Sequence, residues 1–121
     1  MAEPIRSYRQ FWPYYLAEHS RPGTRALHYL GTGVGLVLLA LAILLADWRA
    51  LAAALIAGYG FAWAGHAFIE GNRPATFRHP LWSFISDLRM AGLWASGRLN
   101  AELARHTVEP RQKEPATSPP P

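Results

Sequence analysis

Two uncharged blocks dominate the chain. Residues 29–46 and 50–69 contain no formally charged side chain, whereas a soluble domain spreads its apolar residues at helical or strand spacing among polar ones. Residues 27–46 (LHYLGTGVGLVLLALAILLA) predict a first membrane-spanning helix, because a segment of that length at 1.5 Å rise per residue covers about 30 Å, the hydrocarbon thickness of a bilayer. Residues 51–69 (LAAALIAGYGFAWAGHAFI) predict a second, joined to the first by the short turn Asp47-Trp48-Arg49-Ala50. Gly31 and Gly35 form a GxxxG pair in one block, and Ala54 and Gly58 a similar small-residue pair in the other. Such spacing lets two backbones approach closely where lipid supplies no hydrophobic drive between helices. The expected fold is all-α: an integral membrane helical hairpin with flanking interfacial or re-entrant helices.

The flanks follow a different pattern. Residues 1–25 mix Tyr8, Phe11, Trp12, Tyr14 and Tyr15 with Arg6, Arg9, Glu18 and Arg21. Rings at headgroup depth beside snorkelling guanidinium groups suit an interfacial amphipathic helix, and an ordinary helix packed over the ends of the hairpin would read the same way. Either is expected to break near Pro13 and to end around His19. Residues 81–103 predict a third long helix, apolar over much of its surface but carrying Asp87, Arg89 and Arg98. Those are too many charges for a free-standing span, so it is interfacial, re-entrant, or spans with its charges facing protein. From residue 107 the tail (TVEPRQKEPATSPPP) is Pro-rich and polar, and disorder is expected. Residues 1–106 then form a single membrane domain, as a chain of 121 residues allows.

Charge refines this picture. The net charge is +4, and all but one of the 12 basic residues are arginines, Lys113 being the exception. They flank the apolar blocks, which is how membrane proteins use them, and nucleic acid is not an expected partner. Arg6, Arg9, Arg21 and Arg25 precede the first block, Arg49 alone lies in the turn, and the rest follow the second. The positive-inside rule therefore places both termini in the cytoplasm, with a bacterial inner membrane as the expected location. The first apolar block is too long for the core of a cleavable signal peptide and is expected to serve as its own insertion signal. With no cysteine there is no disulfide, no thiolate metal site and no cysteine nucleophile. Any metal must be held by His, Asp or Glu.

The histidines are His19, His28, His66, His79 and His106. In an antiparallel hairpin His28 and His66 lie at the same end, at depths differing by only about 5 Å at 1.5 Å per residue. His19 sits one short loop before His28, and His79 one short loop after Glu70, so four histidines are expected to converge at the cytoplasmic face. His66 and Glu70 at spacing i, i+4 share a helix face, and an ionisable pair inside a membrane is costly unless it faces protein or a polar cavity. A set of His and carboxylate without Cys suits Fe(II), Mn(II) or Zn(II). A single histidine at a helix end is more often a hydrogen-bonded interfacial side chain than a ligand, and Glu70 could pair with Arg73 or Arg25. Arg25, Arg73 or Arg89 could hold a carboxylate through a bidentate pair, or serve only the positive-inside bias.

The runs FWPYYLAEHSRPGTRALHYLGT and GYGFAWAGHAFIEGNRPATFRHPLWSFISDLRM resemble the membrane 2-hydroxy fatty acid dioxygenases of fatty-acid α-oxidation, over roughly residues 6–99. The pattern EHxxP…LHxxGT with GHxxxExNxPATF carries the resemblance. It implies an Fe(II)-dependent oxygenase that shortens a 2-hydroxy fatty acid by one carbon using O₂, at the membrane interface. The family's histidine positions fall on His19, His28 and His66; Glu70 and Asn72 belong to the same motif and are the expected catalytic residues. His79 joins as a further candidate ligand, and Arg25 and Arg73 as candidate substrate contacts. Thr24 stands where relatives often carry Asn. The expected partners are the 2-hydroxy fatty acid, O₂ and membrane lipid, with room for a homo-oligomer. The competing readings are a non-enzymatic haem- or metal-binding membrane module, and a zinc-dependent membrane hydrolase with Glu70 as general base.

Overall fold

The computed structural model describes residues 4–106; the expected disordered tail lies outside the described residues. The described residues fold into helices and turns alone: α1 (Tyr8–Glu18), α2 (Pro22–Leu45), α3 (Trp48–Ala64) continuing into a π-helical turn (Gly65–Glu70), a 3₁₀ turn (Ala75–Phe77), α4 (Pro80–Ala95) and α5 (Leu99–Arg105). Two helices are long and apolar enough to cross a membrane, Pro22–Leu45 and Trp48–Glu70. The chain is an all-α membrane protein. Both spans begin before their uncharged blocks. Pro22 occupies the first turn of α2, where a missing N–H costs nothing. Asp47 caps α3 by accepting the Arg49 amide at 3.0 Å, and the Arg49 guanidinium closes on the same carboxylate at 3.0–3.1 Å.

Small residues set the contact between α2 and α3. A methyl group at Gly31 would stand 2.9 Å from the Gly58 carbonyl oxygen and 3.1 Å from Phe61 Cβ, and one at Gly35 would stand 3.3 Å from the Ala54 carbonyl oxygen. The two small-residue pairs read from the sequence therefore meet one another. Outside that seam the hairpin turns its leucines and isoleucines outward: Ile43, Leu44, Ile56 and Phe68 are each more than 70% exposed. In water such a surface would be untenable; against lipid it is the ground state.

The buried core lies elsewhere, between α1, α4 and α5. Phe11, Trp12, Tyr15 and Leu16 on α1 pack with Met90 on α4, Leu99 and Leu103 on α5, and Ala75. Ser7 caps α1 by accepting the Gln10 amide at 3.2 Å. The helix runs through Pro13 without the expected break; the lost hydrogen bond leaves only the carbonyl of exposed Arg9 without a helical partner, while the aromatic face stays packed. The helix expected over residues 81–103 is instead two. Gly97 adopts φ 73° after Ser96, and the Arg98 amide returns to the Leu93 carbonyl at 2.8 Å, a left-handed stop that turns α5 back over α1. There the Trp12 indole donates to Glu102 Oε1 at 2.9 Å while the Arg89 guanidinium sits 4.0 Å over the indole ring.

On α4, Ser83, Ser86 and Met90 face inward, whereas Leu81, Phe84, Ile85 and Trp94 are exposed. Its apolar side looks away from the protein. At about 24 Å long α4 is shorter than a bilayer core.

Candidate metal centre

Three histidines converge where the end of α1, the start of α2 and the end of α3 meet. His19, His28 and His66 are all buried, and one nitrogen from each lies within 4.8 Å of the others. Three separate devices aim them. His19 Nδ1 lies 2.6 Å from the Tyr15 carbonyl oxygen and His28 Nδ1 lies 2.9 Å from the Thr24 carbonyl oxygen. A carbonyl only accepts, so in both rings Nδ1 carries the proton and Nε2 presents its lone pair. His66 Nδ1 lies 2.6 Å from Asn72 Oδ1. The orientation of that amide is set from behind, because Asn72 Nδ2 donates to the Glu18 carbonyl oxygen at 3.0 Å and to Glu18 Oε2 at 2.5 Å. His66 is thereby also an Nδ1–H tautomer.

All three Nε2 atoms are then bare acceptors. His19 Nε2 and His28 Nε2 face each other at 2.9 Å, with no proton between them if both rings are neutral. Two buried lone pairs in that position repel unless a cation lies beside them. Two nitrogens each about 2.1 Å from one ion and at right angles would be about 3 Å apart. The cavity they border measures about 10 Å³, the room for one water-sized body. Burial first, and the closeness of His28 and His66 second, hold His19 well below the usual histidine range, so the ring stays neutral as a metal ligand must. The donor set fits a divalent transition metal.

His66 and Glu70 lie on one π-helical turn but have different partners. The amides of Gly71 and Asn72 both return to the His66 carbonyl oxygen, at 2.8 and 3.1 Å, and Gly71 closes the turn in the left-handed region at φ 77°. The Glu70 carboxylate gathers the α1–α2 corner, accepting from the Ser20 amide at 2.8 Å, the Arg21 amide at 3.1 Å, Thr24 Oγ1 at 2.7 Å and the Ser20 hydroxyl. It fixes the loop between His19 and His28.

A family model for 2-hydroxy-palmitic acid dioxygenase Mpo1-like proteins matches residues 5–99. The chain belongs to that family. No curated protein and no solved structure gave a match. In this Mpo1-like chain the other expected site residues lie apart from the three imidazoles. His79 stacks on Trp82 at 5.2 Å between ring centroids and meets the edge of Phe11 at 5.3 Å; it belongs to the aromatic packing under α1. Arg25 donates through Nη1 to the His19 and Ser20 carbonyl oxygens, both at 2.9 Å, which pins the backbone at His19. Arg73 is exposed.

Asp87 is the residue that sequence reasoning passed over. Its Oδ1 lies 4.0 Å from His28 Nε2 and accepts the Tyr15 hydroxyl at 2.5 Å. Burial pushes its carboxyl up to about 6, against the pull of that hydrogen bond, and burial followed by the nearby carboxylate pushes the Tyr15 phenol well above its usual range. A carboxylate on the inner face of an otherwise apolar helix was the available signal.

Proposed function

We propose that this protein is an Fe(II)-dependent dioxygenase that shortens 2-hydroxy fatty acids by one carbon at the membrane interface. The observation that carries the reading is the convergence of three buried, Nδ1-anchored imidazoles in a chain of the 2-hydroxy-palmitic acid dioxygenase family. The overall change is balanced with O₂ as the only oxidant: RCH(OH)COOH + O₂ gives RCOOH + CO₂ + H₂O, the C1–C2 bond breaking as C2 becomes the new carboxyl carbon. His19, His28 and His66 would hold the iron, whose role is to activate O₂ and bind the hydroxy acid at open positions. Asp87, beside His28 and held by the Tyr15 hydroxyl, would accept or return the proton of the substrate hydroxyl. Glu70, Asn72 and Arg25 act through the ligands they position.

Two features weigh against the competing readings. A cavity of about 10 Å³ between the imidazoles leaves no room for a porphyrin. A zinc hydrolase with Glu70 as general base needs a carboxylate free to take a proton from water, whereas this one is engaged by four donors from the α1–α2 corner.

The test is anaerobic purification in detergent, reconstitution with Fe(II), and assay of 2-hydroxypalmitate against palmitate, with O₂ uptake and product chain length followed. Strong preference for the 2-hydroxy acid and a product one carbon shorter are expected, because a site built around a hydroxyl rejects the analogue lacking it by far more than a methylene is worth. Equal turnover of both acids, or turnover without O₂, would overturn it. We further propose one membrane domain over residues 1–106 with both termini cytoplasmic. A cysteine at Ala50 should react with an impermeant thiol reagent from outside the cell and one at Ala104 should not.

A further inference from the structure

The hairpin does not close on itself along its whole length. Between α2, α3 and α4 it leaves a cleft walled by Gly31, Gly35, Leu39, Leu51, Leu55 and Leu88, with Asp87 at one end. Gly31 and Gly35 sit close against the α3 backbone and form the floor of the cleft, while the leucines form its walls. Asp87 also borders the cavity that holds His19, His28 and His66, so the cleft and the histidine centre meet at one carboxylate. Leu39, Leu51, Leu55 and Leu88 are 38–55% exposed, which leaves the cleft open sideways to the bilayer.

Its length is specific. From the level of His28 to that of Leu39 is eleven residues of α2, about 16 Å at 1.5 Å per residue. The hydrocarbon of one leaflet is about 15 Å, half of the bilayer core. A lipid whose polar head lies at the histidines therefore ends its chain near the Leu39–Leu51 level if it follows the cleft.

We propose that this cleft receives the acyl chain of the substrate and that its far end, at Leu39 and Leu51, sets the chain length accepted. The proposal rests on the reading that the substrate is a 2-hydroxy fatty acid. A single chain enters laterally from the leaflet, its head passes Asp87, and its methyl end stops against the side chains nearest the hairpin turn.

The test has two arms. In the first, Leu39→Trp and Leu51→Trp are compared with the wild type and with Leu30→Trp, which is exposed and does not line the cleft. The ratio of kcat/KM for 2-hydroxypalmitate over 2-hydroxylaurate should fall about tenfold or more in the two cleft variants and stay unchanged in the control. An unchanged ratio in all three would overturn the proposal. The second arm needs no turnover: 2-hydroxypalmitate carrying a diazirine at its methyl end is photolysed on the wild-type protein and the label is mapped. Label concentrated at Leu39 and Leu51, and competed by unmodified 2-hydroxypalmitate, supports the cleft. Label spread over outward positions such as Ile43 and Ile56, or competed equally by phosphatidylcholine vesicles, would mean an ordinary lipid-facing surface and would overturn it. Localised label without any turnover would remove the dioxygenase reading and leave the cleft standing.

Discussion

The two ends of the hairpin are built on opposite rules. Toward the turn, the apolar side chains face outward: Ile43, Leu44 and Leu45 are 68–79% exposed, and α2 and α3 meet there through small residues such as Gly35 and Ala54. At the other end the buried groups are polar or ionisable: His19, Ser20, Thr24, His28, His66 and Glu70 all lie at 4% exposure or less. One end is held by lipid outside and backbone proximity inside; the other is held by directed hydrogen bonds, with α1, α4 and α5 shielding it. Burying polar groups is costly unless each finds its partner. Their partners here converge on leaving three nitrogens bare, and the proposed function rests on that end.

The comparison breaks most visibly at Glu70. Glu70→Ala should remove the hydrogen bonds that the carboxylate accepts from the Ser20 and Arg21 amides and the Ser20 and Thr24 hydroxyls, costing on the order of 3 kcal/mol. Thermal unfolding in detergent should show a marked drop, and a melting temperature within error of the wild type would mean that the carboxylate does not organise the corner. Next comes the support behind His66. Asn72→Ala removes the acceptor that sets its tautomer, and metal affinity should fall about 10–100-fold; an unchanged dissociation constant with the fold intact would remove Asn72 from the centre. The smallest effect belongs to the glycine seam. Gly31→Ala should be less stable than Gly33→Ala by about 1 kcal/mol or more, since both gain helix propensity but only the first drives a methyl group into the opposing backbone. Equal stability would mean that the helices do not pack at Gly31.

The same contrast governs what could be read from the sequence. The hairpin was legible because two uncharged blocks and their small-residue pairs are local patterns, and the grouping of three histidines was legible because antiparallel geometry brings His28 and His66 to equal depth and a short loop ties His19 to them. Nearness along the chain suggested His79 at the same face, whereas its ring lies in an aromatic slot of Phe11 and Trp82 that the packing of α1 on α4 creates. The π-helical turn was equally invisible, as was the α1–α2 corner that Glu70 gathers. Asp87 was visible as a charge on an apolar helix but not as a neighbour of His28, since that contact joins elements 59 positions apart. The stop at Gly97 was readable in principle, a glycine following a serine inside an expected helix, yet the apolar pattern on either side masked it.

The central claim is that His19, His28 and His66 hold one metal ion together. Anaerobic Fe(II) titration of the detergent-solubilised protein, with bound iron measured after removal of free metal, tests it most directly. Wild type should bind about one iron per chain, and His19→Ala, His28→Ala and His66→Ala should each lose most of it while remaining folded and helical, because each removes one of only three nitrogen donors. His79→Ala should keep full occupancy. Full iron binding in all three single variants, or loss on replacing His79 alone, would contradict the account.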